Sequence, residues 1–182
     1  SGADPAGVMN DKNRRTDVFA PEFLVFPSAK TNSPILLVLP GGGFNTLADE
    51  HEGVAVAQGL NALGCSAIVL RYRVPRRSND KPWEVPMLDA RKTLEIIRAR
   101  ATEWNGDSKK VGVLGFSAGG NLAARLAYSP ADMEVVRPDF AVMIYPAYLL
   151  ENDKPGDALR ADVMPPATAK FIPPAFFAHS AD

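Results

Sequence analysis

Five residues near the middle of the chain, Gly115-Phe116-Ser117-Ala118-Gly119, have the G-x-S-x-G spacing in which a serine hydroxyl becomes a nucleophile. The chemistry explains the glycines. The serine must sit on a strained turn from strand to helix, where crowding leaves no room for side chains at the flanking positions. The helix that starts behind it aims its N-terminal dipole at developing negative charge. Glycine usage alone yields such a match in about one chain of this length in twenty, so context has to decide between a nucleophile and an ordinary turn. The context favours the nucleophile, because residues 111–115 form a strand-like run and residues 118–128 a helix-like one.

A tetrahedral intermediate formed on Ser117 needs donors for its oxyanion, and the glycine-rich turn Pro40-Gly41-Gly42-Gly43-Phe44 is the candidate source. Glycines let backbone N–H groups point inward with no side chain in the way. On this reading Gly42 and Gly43, with the N–H of Ala118, bind the oxyanion, each donor being worth about 3 kcal/mol. A plain tight glycine turn is the alternative. Nucleotide binding fits poorly, since neither G-x-G-x-x-G nor a Walker lysine is present.

The general base is harder to find. The chain has two histidines, His51 and His179, and serine hydrolases built on a strand-turn-helix elbow order their triad as Ser, acid, His. His51 precedes the serine and reads as an exposed or helix-capping residue. His179 precedes Asp182, the acid candidate, and reads as a strand-end residue. Asp182 is the last residue of the sequence, and Asp153, Asp157 and Asp162 read as solvated.

These residues need elements to position them. Residues 22–27 read as a short edge strand ended by proline, and 35–39 as a strand buried on both faces. Residues 53–63 read as a helix closed by Gly64, and 67–70 as the next strand. The seam Met87, Ala90, Leu94, Ile97, Ala101, Trp104 predicts a helix packed on a sheet. Residues 140–145 and 175–178 are further strands, with an irregular, proline-bearing stretch at 147–174. Strands that alternate with helices argue for the α/β class, a mostly parallel sheet with helices on both faces. One domain over 1–182 is expected, with an irregular N-terminal segment at 1–16.

Composition narrows the partners. At 182 residues and 46% hydrophobic content the chain can bury one sizeable core. Its 20 basic and 21 acidic residues are spread along the sequence, so no polybasic stripe favours nucleic acid or anionic lipid. No apolar stretch approaches the roughly 18 residues of a membrane span. The single cysteine, Cys65, excludes an internal disulfide and reads as a small buried strand residue.

The motifs Pro-Gly-Gly-Gly-Phe (40–44), His-Glu-Gly (51–53), Leu-Arg-Tyr-Arg-Val (70–74), Gly-Phe-Ser-Ala-Gly-Gly-Asn-Leu-Ala (115–123) and Pro-Pro-Ala-Phe-Phe-Ala-His (173–179) together give a family resemblance. From about residue 17 onward the chain resembles the acetyl xylan esterase-like branch of the α/β-hydrolases. The resemblance implies a serine carboxylesterase that removes small acyl groups, often acetyl from plant-polysaccharide sugars, without metal or organic cofactor, and it favours a secreted or periplasmic setting. It carries over Ser117 as nucleophile, Gly42, Gly43 and Ala118 as oxyanion donors, and Asp182 or its successor as the acid. Family members continue through a helix, a strand and a loop bearing the catalytic histidine, so this chain is expected to be a fragment of a longer protein, with a natural truncation as the alternative. A sheet edge left open by that departure is expected to favour self-association.

Three hypotheses follow. The first is an esterase with an open site for short acyl chains on a bulky alcohol, for which Trp83 and Phe44 are candidate walls, ordinary packing being the equal alternative for both. The second is a serine peptidase of the same fold. The third is a catalytically impaired or sugar-binding remnant, since loss of the base leaves only about 10³ to 10⁴-fold catalysis over water.

Overall fold

Strands and helices alternate along the computed structural model, which describes residues 6–129, 137–152, 154, 156–167, 169 and 171–180. The strands are β1 (Val8–Met9), β2 (Arg15–Thr16), β3 (Glu22–Phe26), β4 (Ser33–Leu39), β5 (Ser66–Arg71), β6 (Gly106–Phe116), β7 (Phe140–Ile144) and β8 (Ala175–Ala178). The α-helices are α1 (Ala55–Ala62), α2 (Glu84–Arg100) and α3 (Ala118–Tyr128). Six strands form one sheet in the order β3-β5-β4-β6-β7-β8, parallel except for β3.

The alternation along β4 sorts the core into two layers. Ile35, Leu37 and Leu39 join Leu94 and Ile97 of α2 and Leu122 and Leu126 of α3 on one face. Leu36 and Val38 join Ala57 of α1 on the other. A parallel strand covered on both sides has no polar face, which is why 35–39 reads as an unbroken apolar run. α3 is buried at every position from Ala118 to Ala127, so its small residues are what lets it lie flat on the sheet.

This wiring creates a switch point. β4 and β6 are neighbours, yet the helix after β4 packs on one face and the helix after β6 on the other. Their carboxyl ends therefore open into a shared crevice, the position where α/β sheets hold their ligands. The glycine turn follows β4 and Ser117 follows β6.

Several expectations need adjusting. Residues 1–5 lie outside the described residues, and the rest of the segment expected to be irregular carries an antiparallel pair, β1 with β2. A distant contact fixes it: Arg15 pairs its backbone with Leu47 and donates its Nε to buried Asp49 Oδ2 at 2.7 Å. The helix expected from residue 53 begins earlier, with a wide π turn over Glu50–Val54. Gly53 packs there so tightly that a Cβ would lie 2.8 Å from Val69 Cγ1. Cys65 is half-buried and precedes β5 instead of lying within it. β8 is the outer strand, with Phe176 62% and Phe177 55% exposed.

Candidate active site

The elbow is a single residue wide. β6 ends at Phe116, α3 begins at Ala118, and Ser117 makes the turn alone at φ 49, ψ −116. Such a conformation costs a non-glycine residue about 1–3 kcal/mol and persists only when its surroundings over-determine it. Three backbone hydrogen bonds do so. The Ser117 N–H donates to Ile144 O at 3.1 Å, and Ser117 O accepts from the N–H groups of Asn121 at 3.1 Å and Ala147 at 3.0 Å. The flanking glycines are dictated by contact: a Cβ at Gly115 would lie 2.2 Å from Gly119 O, and one at Gly119 would lie 2.0 Å from Leu39 O. Ala118, as the first residue of α3, has an N–H with no acceptor in its own helix. Ser117 Oγ has no hydrogen-bond partner among the described residues.

The glycine turn lies directly against this elbow. A Cβ at Gly41 would stand 3.0 Å from Ser117 Cβ and 2.9 Å from Phe116 O. Gly42 (φ 138), Gly43 (φ 63) and Phe44 (φ 61) all have left-handed backbones, and Gly42 O closes the turn by accepting from the Asn45 and Thr46 N–H groups at 3.1 Å. Among the described residues the Gly42 and Gly43 N–H groups donate to nothing, so both remain free for an acceptor arriving from outside.

Polar side chains that local patterning gave no role hold the turn in place. The hydroxyl of fully buried Tyr72 donates to Pro40 O at 2.6 Å, and burial, followed by the nearby Glu52 charge, pushes its pKa upward. Glu52, itself buried, accepts the Gly41 N–H on Oε2 at 2.7 Å and the Tyr145 hydroxyl on Oε1 at 2.6 Å. Desolvation and the hydrogen bond to Glu52 push the Tyr145 phenol up to about 12. Asn121 Nδ2 reaches the carbonyls of Ala147 at 3.1 Å and Tyr148 at 3.0 Å, tying the loop after β7 to α3. Glu52 and Tyr72 belong to motifs quoted for the family resemblance; Tyr72 follows the apolar run of β5, whereas Glu52 closes the polar run 49–52 and carries no such signal. Their partners are distant in sequence.

The remaining candidates among the described residues do not converge on Ser117. His51 is 55% exposed in its side chain and faces Glu52 Oε1 at 3.7 Å, while exposed His179 uses Nδ1 on Ser180 O at 2.9 Å. Asp182 and Asp153 lie outside the described residues. Phe44 is no wall: its left-handed backbone turns the ring into the core, fully buried, with its centroid 5.9 Å from that of Tyr148. Trp83 is covered by the guanidinium of Arg125 at 3.7 Å and that of Arg160 at 5.0 Å. Asp162 is not simply solvated but pairs with the same two arginines, each at 3.1 Å. Burial works against its charge, yet the arginines outweigh that and hold its pKa below the usual carboxylate range. Among the described residues no group of three or more His, Cys, Asp or Glu side chains could hold a metal ion.

Comparison with known proteins bears on the fold that carries this site. The profile of a family described as alpha/beta hydrolase fold matches residues 36–175. An acetylxylan esterase of Xylanibacter ruminicola is 34% identical over 115 residues, 63% of this chain and 22% of that protein. The crystal structure of an acetyl ester-xyloside bifunctional hydrolase from Caldicellulosiruptor lactoaceticus superposes with a TM-score of 0.58 at 33% identity, covering 82% of this chain and 53% of that one. An alpha/beta hydrolase enzyme from a Medee basin deep-sea metagenome library gives a TM-score of 0.64 at 28% identity, over 80% of this chain and 60% of that one. The chain thus spans about a fifth of the curated relative and between half and two thirds of the solved ones.

Proposed function

The chain belongs to the alpha/beta hydrolase fold family, and on that premise we propose that it bears the nucleophile and oxyanion site of a serine carboxylesterase for short-acyl esters, acetyl groups on carbohydrates first among them. One observation carries the reading: Ser117 is held at φ 49 on the strand-to-helix turn with the glycine turn packed against it.

In the proposed reaction Ser117 Oγ attacks the ester carbonyl carbon, its proton passes to a base, and the carbonyl electrons move onto oxygen. The N–H groups of Gly42, Gly43 and Ala118 meet that oxyanion. Collapse of the intermediate expels the protonated alcohol and leaves an acyl-Ser117, which water then hydrolyses to regenerate the hydroxyl. No cofactor enters this scheme. The base is a histidine in the family scheme, and neither His51 nor His179 hydrogen-bonds Ser117 in this arrangement. The acetylxylan esterase and the acetyl ester-xyloside hydrolase among the similar proteins support acetylated sugars as substrates. The free Oγ supports one second reading, a segment that binds esters but turns them over poorly.

The deciding experiment compares 4-nitrophenyl acetate and acetylated xylo-oligosaccharides as substrates for this chain and for Ser117→Ala, with intact mass recorded on each sample. Hydrolysis abolished by the substitution supports the esterase, and His51→Ala and His179→Ala then locate the base. Acetate release from the aryl ester but not from the sugar rejects the carbohydrate part. Absence of serine-dependent hydrolysis from a folded sample favours the second reading.

A further inference from the structure

Glu52 is an expensive residue to bury at the entrance of a helix. A carboxylate removed from water must be compensated by strong donors, and an apolar side chain would fill the same space at no such cost. Its side chain is 11% exposed, and each oxygen has one donor at short range, Gly41 N–H at 2.7 Å and Tyr145 OH at 2.6 Å. Hydrogen bonds to an ionised acceptor are roughly twice as strong as neutral ones. The two donors come from opposite sides of the crevice, one from the turn after β4 and the other from the loop after β7.

The circuit closes on the nucleophile. Ala147, two residues beyond Tyr145, donates its N–H to Ser117 O at 3.0 Å, and the Tyr145 ring packs 6.0 Å, centroid to centroid, from that of Phe116. On the other side Gly41 abuts Ser117, and its carbonyl accepts the Ala48 N–H at 3.0 Å. The Gly41 N–H is therefore spent on Glu52 and cannot serve an oxyanion, while the next two N–H groups stay free. We infer that Glu52 is the positioning residue of the oxyanion turn: one carboxylate oxygen pins Gly41 beside Ser117, and the Tyr145 hydroxyl pins the other. This inference rests on the hydrolase reading of the same site.

A purely structural carboxylate would affect stability without affecting the turn selectively. The test compares the chain with Glu52→Ala, Glu52→Gln and Tyr145→Phe. Amide hydrogen exchange is followed at Gly41, Thr46 and Ala48, whose N–H groups are bonded in this turn, and at Leu37 and Val38 in β4 as internal standards. In Glu52→Ala the three turn amides are expected to exchange at least about tenfold faster while the β4 amides keep their protection. Glutamine retains an oxygen for Gly41 and an N–H for the Tyr145 oxygen, so Glu52→Gln should restore the slow rates, and Tyr145→Phe should fall between.

Where Ser117-dependent hydrolysis of 4-nitrophenyl acetate is measurable, Glu52→Ala should lower kcat about 10²-fold with KM within about threefold, and the glutamine should recover most of it. Unchanged turn exchange in Glu52→Ala overturns the inference. So does a loss of protection that includes β4, or a glutamine variant no better than alanine. If the parent chain shows no serine-dependent turnover, the esterase reading of this chain fails by itself, and the exchange data still decide the role of Glu52.

Discussion

A Cβ placed on Gly41 would stand 3.0 Å from the Cβ of Ser117, tighter than nearly all contacts that real Cβ atoms make. The turn and the nucleophile therefore touch with nothing between them, and the separation of Ser117 from the free amides of Gly42 and Gly43 is set by that contact. Gly41→Ala has no easy relief, since the added carbon also meets Phe116 O at 2.9 Å and Glu52 Oε2 at 2.8 Å. The turn must retreat. Displacement of catalytic groups by about 1 Å can cost 10²-fold in rate, so kcat for serine-dependent ester hydrolysis should fall by about that factor. Steady-state kinetics of the purified variant, with a urea midpoint to separate rate from stability, provide the check.

Two other glycines give opposite expectations. Gly119 faces Leu39 O at 2.0 Å from its would-be Cβ and Pro40 O at 2.7 Å, and all of these neighbours are backbone. Gly119→Ala must separate α3 from the end of β4, which calls for a loss of about 3 kcal/mol or more. Gly59 lies in α1 with no atom within 4 Å of the same position. Gly59→Ala should raise stability by about 0.5–1 kcal/mol, because alanine loses less conformational freedom in a helix. Urea denaturation of both variants tests the pair, and equal effects would contradict the packing described for α3.

Strain at Ser117 should be measurable by removing it in two ways. Ser117→Ala keeps the Cβ and hence the cost of φ 49, whereas Ser117→Gly releases it. Glycine also gives the unfolded chain more freedom, which offsets the gain by about 0.5–1 kcal/mol. The net expectation is that Ser117→Gly is about 1 kcal/mol more stable than Ser117→Ala, with neither hydrolysing esters. Thermal and urea unfolding of the two variants decide it, and a less stable glycine variant would mean that the turn holds little strain.

Features written in nearest-neighbour patterns were legible in the sequence, and features made by distant partners were not. The bounds of α3 and β8 follow from local periodicity, and the elbow follows from one glycine-serine-glycine spacing between a strand and a helix. The role of Glu52 depends on donors 11 and 93 residues away, so nothing around position 52, in the polar run just before the expected helix, announces it. Phe44 reads equally as a wall or as packing, and its left-handed backbone and full burial decide for packing. Trp83 likewise goes to packing, since Arg125 and Arg160, far along the chain, cover its face. Patterning reports which residues share a face of an element. It does not report which loops cross that face.

Tyr145 offers a pH test of the same loop. Its phenol is raised from 10.0 to about 12, first by desolvation and then by the hydrogen bond to Glu52 and its charge. A raised pKa favours the neutral form in the folded state, so the associated stability is fully present below pH 10 and is lost as pH rises through 12. Because Tyr145 is 40% exposed, solvent screening reduces the size of this contribution. Stability measured by urea unfolding should fall between these two pH values, and Tyr145→Phe should flatten that fall. Glu52→Gln removes the charge that opposes the phenolate but leaves the desolvation, so it should bring the Tyr145 titration part of the way back toward the ordinary value. Ring-labelled tyrosine followed by NMR resolves this phenol from Tyr72, Tyr128 and Tyr148. A Tyr145 resonance that titrates near pH 10 in the parent chain would mean that the hydroxyl does not hold Glu52 in solution, and the clamp on the glycine turn would then rest on Gly41 alone.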